Sequence, residues 1–433
     1  MGSFSATKID GLELWGASSY ADKDSLSIFQ EHDRRITPYR ERDEDEEAVE
    51  YRRYEYAVSA PEMRDRLDAL GFTVEQARAS YERHFAAHVE LYGEWVSDGS
   101  CLTTAEEVSE LKKRDFDWWC AALAKLIPLG WNTWHRDAFK RIPESEAMHD
   151  MEGIDTFFYD NRLLLRAALF ALKDAKEVTL DVSHLVDGGY YHESEAICED
   201  ARYVWSQTDP VYGPIVILTE GKLDSRVLSR AFEVMSPHLV DFFGFLDFDG
   251  VALPGSAETL AKLVRAFVGA RLSSRMIAVF DNDTAGWEAM ESLRSLKLPP
   301  NIKTAALPNS QVAASYPTEG PQGVAVMDVN GLAGSIEMYL GRAALTGDNG
   351  ELRPVRWTGF NQKLRRYQGA VENKGGVQDA FFDQLAKQAT PEGARATFPD
   401  LAAVLDMISF MFGKRGNDAL VAEGPQSEEK EQD

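Results

Sequence analysis

The sequence predicts an α/β protein. A parallel sheet flanked by helices is expected in its second half, behind a mainly helical N-terminal domain that carries a small β-hairpin. An α-rich extension follows the sheet. Three observations predict this arrangement. Short apolar runs at 215–218, 276–280 and 302–307 alternate with helix-length amphipathic stretches, the rhythm of right-handed βαβ crossovers. Residues 73–91 and 104–126 repeat apolar side chains at helical spacing. Near the start, Asp10-Gly11 separates two alternating runs, which favours a tight type I′ hairpin turn.

Taken in order, the hairpin covers residues 5–16. Residues 40–57 are dense in charge and read as a solvated helix or a mobile insert. Residues 61–142 are helical in pattern, with Pro61 suited to a first helical position. A helix is expected over 158–173, then a strand from Glu177 to Val182. From 214 the expected order is strand 215–218, helix 223–234, strand 239–246, helix 257–270, strand 276–280, helix 285–296 and strand 302–307. An apolar helix over 401–412 closes the ordered chain. The polar residues from 416 on have the composition of a disordered tail. The expected domains are 1–150 (helical), 151–208 (connecting), 209–345 (parallel sheet), 346–415 (extension) and 416–433 (acidic tail).

The chain has 433 residues, enough for two or three domains at roughly 100–200 residues each. Its formal net charge of −25 means that no overall field draws it to nucleic acid. Contact with DNA or RNA therefore requires a local basic patch, a bound metal ion or a partner. Three widely spaced cysteines, Cys101, Cys120 and Cys198, supply neither a disulfide framework nor a zinc site. The N-terminal residues lack the pattern of a signal peptide, and the apolar stretches are too short or too charged to span a bilayer. A soluble, cytoplasmic protein without membrane contact is expected.

Two strand ends carry acidic clusters. After 215–218 comes Glu220-Gly221-Lys222-Leu223-Asp224, and after 276–280 comes Asp281-Asn282-Asp283-Thr284-Ala285-Gly286. Asp281 and Asp283 are two residues apart, so in extended backbone they point to the same side. An acidic residue near a helix start, or an Asp-rich turn, explains either cluster alone. Adjacent parallel strands would bring both to one sheet edge, where mutual repulsion calls for a cation such as Mg²⁺ or Mn²⁺. Asp247 and Asp249 follow a third expected strand and are candidates for the same edge.

These two motifs resemble the Toprim domain shared by topoisomerases, bacterial primases and OLD-type nucleases. The resemblance covers roughly a third of the chain, about residues 209–345. It implies a Toprim-type sheet, with Glu220 as acid/base or metal-contacting group and Asp281 and Asp283 as magnesium ligands. Glu337, within Ile336-Glu337-Met338-Tyr339-Leu340, resembles an acidic element of the OLD-type nucleases, which implies service to a second metal together with Asp224. The wider layout, including Ile9-Asp10-Gly11 and the run from Asp328 to Glu337, resembles bacterial HEPN/Toprim-associated proteins, which implies a role in conflict with phages and mobile elements. The HEPN resemblance further implies metal-independent RNA cleavage by an Arg-x4–6-His pair. Arg83 and His88 have that spacing, but the pattern is short and ordinary helix-surface residues explain it better.

The basic, aromatic stretch 353–367 is the best local phosphate track, through Arg356, Lys363, Arg365 and Arg366, with Lys222 beside the first acidic cluster. Trp357 or Tyr367 could stack on bases. The expected activity is metal-dependent cleavage of DNA phosphodiesters, with RNA as a second substrate class. The rivals are a non-catalytic regulatory subunit and a HEPN-type RNase. Homo-oligomerisation or an ATPase partner is compatible with the chain, which has no Gly-x-x-x-x-Gly-Lys-Ser/Thr loop of its own.

Overall fold

The computed structural model describes residues 3–41, 49–99, 104–129, 142–150, 156–251 and 254–413. Cys101, residues 42–48 of the charged stretch and the expected tail 416–433 lie outside the described residues. The chain divides into two compact units, 1–212 and 213–433.

In the first unit, β1 (Phe4–Ile9) and β2 (Leu12–Ser18) form the expected hairpin. Asp10 and Gly11 take positive φ of 49° and 84°, as a type I′ turn demands. The hairpin is part of a larger antiparallel sheet, ordered β2-β1-β5-β4-β3, with β3 at Arg34–Glu41, β4 at Val49–Ser59 and β5 at Glu177–Asp181. The described ends of the charged stretch are therefore strands. Cross-strand pairing accounts for their charge: the Arg35 guanidinium bonds Glu55 on β4 and Glu177 on β5. β5, at the strand expected from Glu177 to Val182, lies between β1 and β4.

The helices of this unit begin where capping chemistry permits. Ser59 caps Ala60–Ala69, which has Pro61 in its first turn, and Thr73 caps Val74–Asp98. Phe116–Leu126 and Asn161–Ala171 pack with them around Tyr81, Phe116, Trp119 and Phe157. Arg66 is fully buried, and its guanidinium holds both oxygens of Asp33 at 2.6 and 2.9 Å.

In the second unit, β6 (Ile215–Leu218), β7 (Phe243–Phe245), β8 (Met276–Phe280) and β10 (Ile302–Ala306) form a wholly parallel sheet, ordered β10-β8-β6-β7. β6 and β8 fall where the apolar runs predict. The strand expected over 239–246 is shorter, because Pro237–Phe242 forms a 3₁₀ turn first. Helices Ala257–Ala270 and Thr284–Leu293 cover one face through Leu260, Val264 and Leu293 packed on Leu218, Ala278 and Phe280. A short β9 (Asn282–Asp283) pairs with β13 (Ala333–Gly334). A second sheet, ordered β12-β11-β14-β15, comprises β11 (Tyr316–Gly320), β12 (Gly323–Met327), β14 (Val355–Asn361) and β15 (Arg366–Val371). The C-terminal region is otherwise helical, over Lys374–Leu385, Pro391–Thr397 and Pro399–Ser409. Among the described residues no helix is long and apolar enough to cross a membrane.

Replacing Arg66 by Ala leaves the Asp33 carboxylate buried without its cation. The expected loss is about 3–5 kcal/mol of first-unit stability, read by urea unfolding. A loss below about 1 kcal/mol would show that the pair does not hold this core together.

Candidate functional site

The strand order sets the position of the site. The crossover from β6 leads to β7 on one flank, and the chain then passes to β8 on the other flank of β6. Where the order reverses in this way, a crevice opens at the carboxyl ends of the strands. Glu220 lies just past the end of β6, and Asp281 immediately follows β8, with Leu218 and Ala278 in register. The Asp281 N–H donates to Glu220 Oε1 at 2.9 Å, so the two motifs meet directly.

Each loop is fixed by local chemistry. The Thr219 hydroxyl donates to the Gly221 carbonyl and lies 2.8 Å from the Ser225 hydroxyl, which holds the turn into helix Lys222–Met235. Asn282 faces away from its acidic neighbours: its amide nitrogen bonds Asn309, and its amide oxygen accepts from the Trp287 indole. Asp283 caps Thr284–Leu293 by accepting from the Gly286 N–H at 2.8 Å. Gly286 has no substitute here. A Cβ would stand 2.2 Å from the Asp281 carbonyl oxygen and 3.2 Å from Glu220 Oε1. At Gly334 a Cβ would stand 2.5 Å from the Asn282 carbonyl oxygen, so glycine permits the β9–β13 contact that delivers Ser335 and Glu337.

Glu337 is 2% exposed, on the 3₁₀ turn Ile336–Tyr339. Its Oε2 accepts from the Ser335 hydroxyl at 2.6 Å and pairs with Lys374 Nζ at 3.1 Å, and its Oε1 accepts from the Gln378 amide at 2.8 Å. Lys374 opens helix Lys374–Leu385 and also donates to Ser335 Oγ. Sequence reasoning did not find Lys374, Gln378 or Ser335. Only the awkward helix start Asn373-Lys374-Gly375-Gly376 hints that Lys374 is placed for a reason other than helix propensity.

The electrostatics follow from this crowding. Burial pushes the Glu220 carboxyl up to about 8, with the Asp283 charge adding to it. Burial, then the Glu337 charge, pushes Asp224 up to about 7. Asp281 is raised well above the carboxylate range by burial and by the charges of Asp224, Glu220 and Asp283. Burial also raises Asp283. For Lys374, burial alone would lower the ammonium, but Glu337 and Asp281 outweigh it and hold the charge on. Lys374 is thus the cation that partly balances five neighbouring carboxyl groups.

The donor set, carboxylate oxygens with a hydroxyl beside them, suits a hard divalent cation. Among the described residues, however, no three His, Cys, Asp or Glu side chains stand in a ready metal-ligand arrangement. Several of the oxygens are engaged: Glu220 by the Asp281 N–H, Asp283 by the Gly286 N–H and Glu337 by Lys374.

Other sequence-predicted residues are placed differently. Asp247 accepts from the Gly250 N–H at the short helix Phe248–Val251, on which Asp249 also lies. Lys222 is exposed at the first position of its helix. Arg356 on β14 pairs with Glu319 and Glu372, and Lys363 lies 3.6 Å from Glu288. Arg365 is exposed in the β14–β15 turn, and Arg366 begins β15. In the first unit, five residues set Arg83 and His88 about 140° apart around their helix. Arg83 is exposed, whereas the His88 ring packs on Phe157 and Tyr92. Cys120 and Cys198 are buried free thiols.

Fold and site together define an α/β protein of two units, the second gathering carboxylates at the switch point of a parallel sheet. Residues 1–203 match the family described as HEPN/Toprim N-terminal domain 1. The match is consistent with the HEPN/Toprim-associated resemblance of the sequence, and it ends before β6. No curated protein and no solved structure matches the chain.

Two outcomes are expected. Gly286→Ala should cost about 1–3 kcal/mol in second-unit stability through overpacking, and an unchanged urea midpoint would contradict the contact described. Carboxyls whose folded values are raised bind protons that the unfolded chain has released, so stability is lost as pH rises between the two values. In EDTA the second unit's melting point should fall from about pH 5 towards the Glu220 value of about 8, and Glu220→Gln should flatten that slope. A melting point that rises with pH would refute the raised carboxyls.

Proposed function

We propose that the second unit is a Mg²⁺- or Mn²⁺-dependent nuclease that cleaves DNA phosphodiesters, in bacterial defence against phages or mobile elements. The observation that carries this reading is the meeting of the two acidic motifs through the Asp281 N–H to Glu220 bond at the switch point. Glu220, Asp281 and Asp283 would hold the cation, with Asp224 and Glu337 serving a second one. When bound, the cation supplies Lewis-acid stabilisation of the phosphoryl oxygens and lowers the pKa of an attacking water.

The protein's own groups do the rest. Glu220, in its ionised form and oriented by the Asp281 N–H, accepts the proton that water releases. Lys374, kept charged by Glu337 and Asp281, offers its ammonium to the negative charge that builds on the phosphate. Ser335 and Gln378 fix Glu337, which in turn fixes Lys374. Lys222 and the hairpin residues Arg356, Lys363, Arg365 and Arg366 would meet the backbone of the substrate.

A second reading is a regulatory subunit that binds without cutting. It is favoured by the engaged carboxylates and by the lack of a ready ligand arrangement among the described residues. Nicking of supercoiled plasmid in Mg²⁺ or Mn²⁺ separates the two. Wild type should nick, and Asp281→Asn should lower the rate by about a hundredfold or more. Equal rates in the two proteins, or no nicking by a folded wild type in either metal, would leave the regulatory reading standing.

A further inference from the structure

We infer that the β14–β15 hairpin is a base-stacking platform that makes the site selective for single-stranded nucleic acid, an inference that rests on the nuclease reading for its substrate class. Phe360 and Tyr367 are opposite each other across the hairpin, with ring centroids 5.1 Å apart. They are 51% and 57% exposed, although burying such rings is favourable. Trp357 supports them at 5.9 Å from Tyr367. Its own ring is seated over glycines: a Cβ at Gly369 or at Gly320 would stand 3.0 Å from a Trp357 ring atom. The aromatic surface is thus fixed from below and open above.

The hairpin is tied to the acidic site. The Thr284 hydroxyl, one residue past Asp283, donates to the Tyr367 carbonyl at 2.7 Å. Asn361 donates to Glu288 on the same helix at 2.6 Å, and Lys363 pairs with that carboxylate. The platform is therefore fastened to the helix that Asp283 caps. Cross-strand aromatic pairs also stabilise hairpins, but that role does not require rings this exposed or this anchoring.

The charges on the hairpin argue for stacking over phosphate tracking. Arg356 faces Glu319 and Glu372, and Lys363 faces Glu288, so both of these exposed cations have carboxylates beside them, and Arg365 is exposed in the turn. A duplex hides its base faces within the helix stack, whereas an unpaired strand offers one at every nucleotide. Two protruding rings on a hairpin whose Arg356 and Lys363 already face glutamates fit the latter.

The test is fluorescence anisotropy with the full chain in EDTA, which withholds the divalent cation. The probes are oligo(dT) and oligo(rU) of about 15 nucleotides and a DNA duplex of similar length. Wild type should bind at least one single strand about tenfold more tightly than the duplex, and the two strands show whether the sugar matters. The double variant Phe360→Ala/Tyr367→Ala should lose about tenfold on the single strand with duplex affinity unchanged, while Tyr367→Trp should keep the wild-type preference. Circular dichroism melts check that the variants fold. Equal affinity for duplex and single strand, an alanine variant that binds like wild type, or no binding to either single strand would each overturn the inference. Plasmid nicking by Asp281→Asn reports separately on the nuclease reading. If nicking is lost there while the alanine variant still binds like wild type, only the stacking inference fails. If stacking-dependent binding holds and wild type never nicks, only the nuclease reading fails.

Discussion

Mutual repulsion among Glu220, Asp224, Asp281, Asp283 and Glu337 is the constraint around which the second unit is organised. A carboxylate removed from water loses solvation, and each like charge nearby adds to that loss. The fold answers in three ways. Backbone N–H groups of Asp281 and Gly286 bond Glu220 and Asp283. Lys374 brings one positive charge, and the raised carboxyls hold protons that they would otherwise release. Once those protons leave, one ammonium cannot balance five acidic groups, and an additional cation is the simplest means of relieving the excess negative charge.

Holding acids this close requires backbones to approach more nearly than side chains usually allow. Gly286 and Gly334 are the points of closest approach, each standing where a Cβ would meet a carbonyl oxygen of the Asp281–Asn282 segment. Asn282 completes the arrangement from the opposite side, fastened to Trp287 and Asn309. With its side chain held away, extended backbone turns both flanking aspartates towards the crevice. The motif is therefore a packing solution as much as a ligand set: its glycine and asparagine determine where its aspartates can be.

What the sequence revealed, and what it concealed, follows from the range of each interaction. β6 and β8 were legible because fully buried strands read as continuous apolar runs between turn signals. The first unit's sheet was only partly legible. β3 and β4 are rich in charge, and Arg35 finds its partners Glu55 and Glu177 only on neighbouring strands, so nothing local separates such a pattern from a solvated helix. Pro38 sits on β3, which is an edge strand, where a missing N–H is tolerated. Glu220, Asp281 and Asp283 could be paired in advance because each closes a recognisable strand. Lys374 could not be, because it reaches the site from a helix far along the chain, and its placement depends on the β9–β13 contact and on Glu337. The basic hairpin illustrates the converse: its arginines and lysine are visible in the sequence, but the glutamates that neutralise Arg356 and Lys363 become evident only once the chain is folded.

A net charge of −25 bears on how such a protein could hold a polyanion at all. Phosphate contacts gain most of their strength from counterion release, which a surrounding excess of carboxylates opposes. Contact between an aromatic ring and a base is not subject to that opposition, since neither surface carries net charge. A platform such as Tyr367 and Phe360 therefore gives an acidic protein a grip that does not depend on winning the electrostatic contest. The remaining repulsion falls on the phosphate nearest the carboxylates, where Lys374 and a divalent cation would act. On this view the acidity of the molecule adds to its selectivity, because strands that offer no base faces meet mainly negative surface.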